Sequence, residues 1–183
     1  MHGWALSNSN LYIDNSWVIR VSAPALKNIA LSILRTYHPK KESSGEKLNA
    51  REIVEGLTSY VQNAIPYRLI SDLPDDKYRG GFRTPLLTLI QGGDCDCKSM
   101  LLAALIRSVC PVLPIALVHI ECGEPHAILG VSGISTDSNE SCTEIKGTQH
   151  VLIESTFDWD IGHLSPDCEL DTIKAFPIAS LET

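Results

Sequence analysis

From Met100 to Val109 the chain reads Met-Leu-Leu-Ala-Ala-Leu-Ile-Arg-Ser-Val, a run that is apolar on most sides when wound as a helix. A helix of that kind has to be covered all round, so it belongs at the centre of the fold with the other elements packed about it. Its start is marked by Gly92-Gly93-Asp94, a tight turn followed by a good N-cap. With 183 residues, 44% hydrophobic and 20% charged, the chain is large enough to bury such a helix without a structural metal or disulfide staples. One domain over residues 1–183 is the expectation.

The surrounding pattern supplies the covering elements. Leu11 to Val21 is β-rich and broken by Asp14-Asn15-Ser16, which predicts two short strands or a hairpin. From Pro24, Leu26, Ile29, Ala30, Ile33 and Leu34 recur at helical spacing until His38-Pro39. Lys40 to Lys47 is polar and reads as a surface connection. Asn49 and Glu52 form a capping-box pair ahead of Ile53, Val54, Leu57 and Val61, and Ile65-Pro66 ends that helix. Ser71 to Gly81, with three aspartates and paired glycines, reads as a long solvated loop. Beyond Pro111, three segments are strand-like: Val112 to Ile120, His126 to Val131 and His150 to Thr156. Helices first and strands after predict an α+β fold with an antiparallel sheet.

Charge and composition exclude some function classes. The net charge is -7 and the longest basic run is Lys40-Lys41, so nucleic acid is not an expected partner. The uninterrupted apolar runs fall short of the roughly 20 residues a membrane helix needs, and Met1 to Asn10 lacks the basic and apolar segments of a signal peptide. These features lead to the expectation of a cytoplasmic protein. The six cysteines are spread along the chain rather than clustered as in a small secreted scaffold, so reduced thiols are expected.

Cys95 stands at the first turn of the central helix, where unpaired N–H groups and the positive end of the helix dipole stabilise a thiolate. Asp94 and Asp96 oppose that effect, which calls for a cationic partner. His126 opens a strand after Gly-Glu-Pro and is the natural candidate. Glu154 lies inside the apolar run Val-Leu-Ile-Glu, a costly placement for an acid without a partner. If the His126 and Glu154 strands pair with these residues directly opposed, the pairing centres on residue 140, within Asp-Ser-Asn-Glu-Ser. Asp158 and Asp160 are the competing acids. Gln91 is a candidate second donor to an oxyanion hole, beside the Cys95 backbone N–H.

Gly92-Gly93-Asp94-Cys95-Asp96-Cys97-Lys98 and the helix after it resemble the block that opens the core helix of bacterial and archaeal transglutaminase-like proteins. Pro125-His126-Ala127-Ile128-Leu129-Gly130-Val131 is similar to their His-Ala strand, and Leu152-Ile153-Glu154-Ser155-Thr156 to their third block. With the upstream segments Val61 to Tyr67 and Pro85 to Leu89, the resemblance covers about residues 50–157. It implies a papain-like core with Cys-His-acid machinery, which different members use for peptide hydrolysis, for amide transfer, or not at all; the expectation drawn from it is action on a peptide or side-chain amide of a peptide or protein substrate, and no cofactor is implied. Two positions depart from the pattern: Cys97 stands where aspartate is more frequent, and the third-block acid is glutamate rather than aspartate.

Hydrolysis is the favoured outcome, with transfer to an amine as the alternative, since the two differ only in what resolves the thioester. A reading of another class makes Cys95, Cys97, Cys122 and His126 a zinc set. Against it, two residues apart on a helix place the Cys95 and Cys97 side chains roughly 200° apart, which makes Cys97 a packed thiol.

Overall fold

The computed structural model describes residues 4–7, 10–69 and 83–181. Among these, two short strands, β1 (Trp4–Ser7) and β2 (Asn10–Ile13), pair antiparallel and precede five helices. These are α1 (Asn15–Tyr37), α2 (Pro39–Ser44), α3 (Ala50–Ala64) and α4 (Pro85–Gln91), and the fifth is the central helix α5 (Cys95–Val109). Five further strands follow: β3 (Ile115–Cys122), β4 (Pro125–Val131), β5 (Cys142–Ile145), β6 (Thr148–Ile153) and β7 (Cys168–Ile178). They form one antiparallel sheet in the order β5-β6-β4-β3-β7. The protein is therefore α+β, as the pattern predicts.

Every residue of α5 from Cys97 to Ser108 is buried. Helices α1 and α3 pack against one side of it and the sheet against another, through Leu129, Val131, Val151 and Ile153. Arg107, on the last turn, is also buried, and its guanidinium donates to the carbonyls of Pro111 (2.7 Å), Leu113 (2.8 Å) and Ile178 (3.1 Å). A charge-assisted donor is thus used to fasten the helix end to the start of β3 and the end of β7. The opposite sheet face carries Val118, Ile120, Ile128 and Leu152, and β5 and β7 curl over it with Ile145, Ile173 and Ala175, so the sheet approaches a barrel.

Several expectations are corrected here. The segment Leu11 to Val21 is strand only as far as Ile13, because Asp14 accepts from the Trp17 N–H at 3.1 Å and caps a helix. Ile19, Ala23, Leu26, Ala30 and Ile33 then form one buried stripe against α5, so tertiary burial outweighs the β preference of Val18 and Ile19. Pro24 lies inside α1 rather than at its start. By length and composition α1 is apolar enough to cross a membrane, although polar residues interrupt each apolar run within it. In the fold its apolar stripe is part of the core. The polar connection after His38 contains α2, which has Pro39 in its first turn and ends at Gly45 with φ 71°. The capping box of α3 forms as expected, while the loop expected at Ser71 to Gly81 lies outside the described residues.

Strands β5 and β7 complete the sheet beyond the three expected strands. Lys146 and Gly147, both with positive φ (51° and 76°), close the β5–β6 hairpin. This is the geometry that suits tight two-residue hairpin turns.

Candidate active site

Asp94 caps α5 by accepting from the Cys97 N–H at 3.1 Å, which leaves Cys95 as the first helical residue, half-buried, its N–H without an intrahelical partner. The approach to it is set by two glycines. The chain leaving α3 runs alongside, with Gly93 N–H donating to the Pro66 carbonyl (3.1 Å) and Arg68 N–H to the Gly93 carbonyl (3.0 Å). A side chain on Gly92 would overlap the Pro66 carbonyl oxygen, and one on Gly93 would overlap Cys97. The pairing places Tyr67 beside Gly93, two residues from the thiol.

His126 is the second residue of β4 and Glu154 follows the end of β6. Strands β4 and β6 pair as Leu129↔Ile153, Gly130↔Leu152 and Val131↔Val151, a register centred one residue later than expected, on 141. Continued by one step it sets Glu154 beside Ile128, so His126 is its diagonal neighbour rather than its direct partner. The extra methylene of glutamate spans that diagonal, and Glu154 Oε2 lies 2.7 Å from His126 Nε2. The turn expected at residue 140 is also displaced, because β5 inserts at the sheet edge and pairs with β6 from Cys142.

Glu154 is 3% exposed, so its charge survives only by full coordination. Its Oε1 accepts from both the Thr156 N–H and the Thr156 hydroxyl, each at 2.6 Å. Burial pushes this carboxyl up, but the His126 and Thr156 donors outweigh it and hold the group below its ordinary range. For His126, burial disfavours the imidazolium, whereas Cys95 and Glu154 favour it and prevail, raising the group to about 10. Asp158 accepts instead from Asn63 Nδ2 (3.0 Å), and both Asp158 and Asp160 line a neighbouring groove. Of the three candidate acids, Glu154 is the one brought to the imidazole.

Cys95, His126 and Glu154 share a cleft of about 500 Å³, walled also by Tyr67, Phe157 and Trp159. Gln91 does not join them; it is exposed at the end of α4 and is not a wall of this cleft. Cys97 points elsewhere, as helical geometry requires: it is fully buried, its sulfur accepts from the Arg83 N–H (3.2 Å), and burial pushes its thiol up to about 12.

Two of the six thiols expected to be reduced, Cys122 and Cys168, form a disulfide on the wall of the same cleft. They stand directly opposite each other on β3 and β7, a proximity invisible while β7 is unrecognised. Cys122 is thereby withdrawn from the four-ligand zinc set, and among the described residues no three metal-ligating side chains converge.

Sequence reasoning missed the polar groups that hold this arrangement together. Ser99, one helical turn after Cys95, donates to the Ala127 carbonyl (3.0 Å) and meets the Ser155 hydroxyl at 2.9 Å, joining α5 to β4 and to the segment after β6. Gln62 donates to the carbonyls of Glu154 (3.0 Å) and Trp159 (2.8 Å). Buried Lys98 donates to the Ile65 carbonyl at 2.9 Å, securing the C-terminal end of α3. Polar residues on the otherwise apolar α5 were the available signal for Ser99 and Lys98.

The histidine–glutamate pair makes stability depend on pH in a defined direction. Native His126 titrates near 10 against an ordinary 6.5, so the folded state binds the extra proton between those values. Its contribution is complete below about 6.5 and is lost as pH rises through 10. Glu154 acts oppositely: its contribution is present above its ordinary 4.5 and is lost as pH falls. Denaturant unfolding across pH is expected to give a maximum between these limits, and His126→Gln to flatten the alkaline limb. An alkaline limb unchanged by that substitution would exclude the pair as its source.

Comparison of the chain with protein-family models, with curated proteins and with solved structures finds no match.

Proposed function

We propose that this protein is a thiol hydrolase of the transglutaminase-like, papain-related class, acting on a peptide or side-chain amide. The observation that carries the reading is the 2.7 Å contact between a buried, fully coordinated Glu154 and the Nε2 of His126, in the cleft that also holds Cys95. With Nε2 engaged, Nδ1 is the ring nitrogen available to the thiol.

In the reaction, the Cys95 sulfur bonds to the amide carbonyl carbon, and the free Cys95 N–H at the helix terminus receives the developing oxyanion. Imidazolium His126 gives its proton to the leaving amine as the C–N bond breaks, leaving a thioester on Cys95. Water then adds to the thioester carbonyl while His126 takes its proton, and the acid departs with regeneration of the thiol. An amine in place of water gives amide transfer by the same steps.

The test exploits the difference between Cys95 and the other free thiols. An unperturbed thiol is hardly ionised near pH 6, and burial raises Cys97, Cys110 and Cys142 further. Iodoacetamide at about pH 6 is expected to modify Cys95 in preference to those three, with the selectivity reduced in His126→Ala. Peptide mapping reads both results. Preferential modification of another cysteine, or equal slow modification of all, would show that Cys95 is not an activated nucleophile.

A further inference from the structure

After Glu154 the chain doubles back over the cleft and carries two aromatic rings with it. Phe157 and Trp159 stack with centroids 5.7 Å apart and planes 26° from parallel. Their segment is anchored: Trp159 N–H donates to the Phe157 carbonyl (2.9 Å), Gln62 holds the Trp159 carbonyl, and Asn63 holds Asp158. Ile161, at its far end, is buried in the core.

An anchored segment that leaves Phe157 58% exposed presents the ring to solvent as a fixed feature. Tyr67, 52% exposed, belongs to the same cleft and is fixed through its backbone pairing with Gly93. Uncovered apolar area of this size is unfavourable in water and becomes favourable when a ligand covers it. Glu154 is occupied by His126 and Thr156, and Asp158 and Asp160 line the adjoining groove; Glu124 also lines the cleft, but most of the cleft's exposed wall is apolar.

We infer that Tyr67, Phe157 and Trp159 form a specificity pocket, and that the substrate carries a bulky apolar side chain, aromatic by preference, beside the reacting amide. The inference rests on the thiol-hydrolase reading and adds the chemical class of its substrate.

The intact protein is treated near pH 6 with iodoacetamide and, separately, with N-(2-phenylethyl)iodoacetamide. The ratio of the two Cys95 rates is divided by the same ratio for a small free thiol, which removes differences in reagent reactivity. The phenylethyl reagent is expected to be favoured on the order of tenfold, with saturation at high concentration. The preference should fall toward one in Phe157→Ala and in Trp159→Ala and persist in Phe157→Tyr. Phe157 is exposed, so its substitution tests the pocket without disturbing the core even if Trp159→Ala folds poorly. A ratio of one in the native protein, or a preference untouched by Phe157→Ala, overturns the pocket while selective Cys95 labelling upholds the nucleophile. Failure of both reagents to select Cys95 overturns the nucleophile and the pocket together.

Discussion

Replacing Glu154 with Gln is expected to lower turnover by about 10⁴-fold while leaving the fold intact, the size of loss seen when the acid of a nucleophile–base–acid triad is neutralised. The reason lies in the two sides of the carboxylate. Its Oε1 accepts from the Thr156 N–H and hydroxyl, so a carboxamide will keep its oxygen on that side. The amide nitrogen then faces His126 Nε2 and donates to it. The ring is forced into the tautomer protonated on Nδ1, which can no longer accept the thiol proton, and the imidazolium loses its counter-charge. Asp158→Asn and Asp160→Asn, whose parent side chains border the neighbouring groove, are expected to leave the rate within about twofold of native. Steady-state turnover alongside a thermal melt separates loss of mechanism from loss of fold. A change below tenfold in Glu154→Gln would remove the orienting acid from the mechanism.

Gly92→Ala is expected to destabilise the fold by on the order of 3 kcal/mol. Gly92 has φ 79° and ψ −177°, a conformation essentially confined to glycine and costing roughly 1–3 kcal/mol for other residues. The added methyl would also overlap the Pro66 carbonyl oxygen, a backbone atom that can retreat only by opening the Pro66–Gly93 pairing. Crowding of this kind typically costs a further 1–3 kcal/mol, whereas the entropy gained in the unfolded chain by losing a glycine is about 0.4–1 kcal/mol. The strain terms win. Chemical denaturation measures the loss, and pH 6 alkylation of Cys95 should slow as the helix terminus shifts. Stability within about 1 kcal/mol of native would mean that the Pro66–Gly93 contact is not the constraint on this turn.

What was legible in the sequence had local causes. The Asp94 cap, the capping box at Asn49 and the all-round apolarity of α5 are short-range signals, and the structure realises each of them. Cys95, His126 and Glu154 were each marked by an unusual local setting. What was not legible depends on pairing at a distance. The β4–β6 register turns on where β5 inserts, and β5 lies in a stretch whose composition reads as a turn. Strand β7 is an edge strand with mostly exposed side chains, so it lacks the clean alternation of a half-buried strand, and it includes Lys174 and Pro177. The start of α1 was obscured because β-branched Val18 and Ile19 belong to a buried helical stripe. The role of Ser99 has no local cause, because its partners, Ala127 in β4 and Ser155 just after β6, lie far along the chain.

The Cys122–Cys168 bond makes a covalent ring of the chain between its ends, 46 residues apart. His126 and Glu154 both lie on that ring, while Cys95 lies outside it. Closing a loop of this length restricts the unfolded chain by about 4 kcal/mol in the chain-entropy account. Bonds of this kind persist in oxidising compartments and are rare in the cytosol, so the ring and the cytoplasmic expectation pull in opposite directions. A protease nick in the connection between β4 and β5 would divide the polypeptide between His126 and Glu154 without releasing either piece. The two residues would part only on reduction.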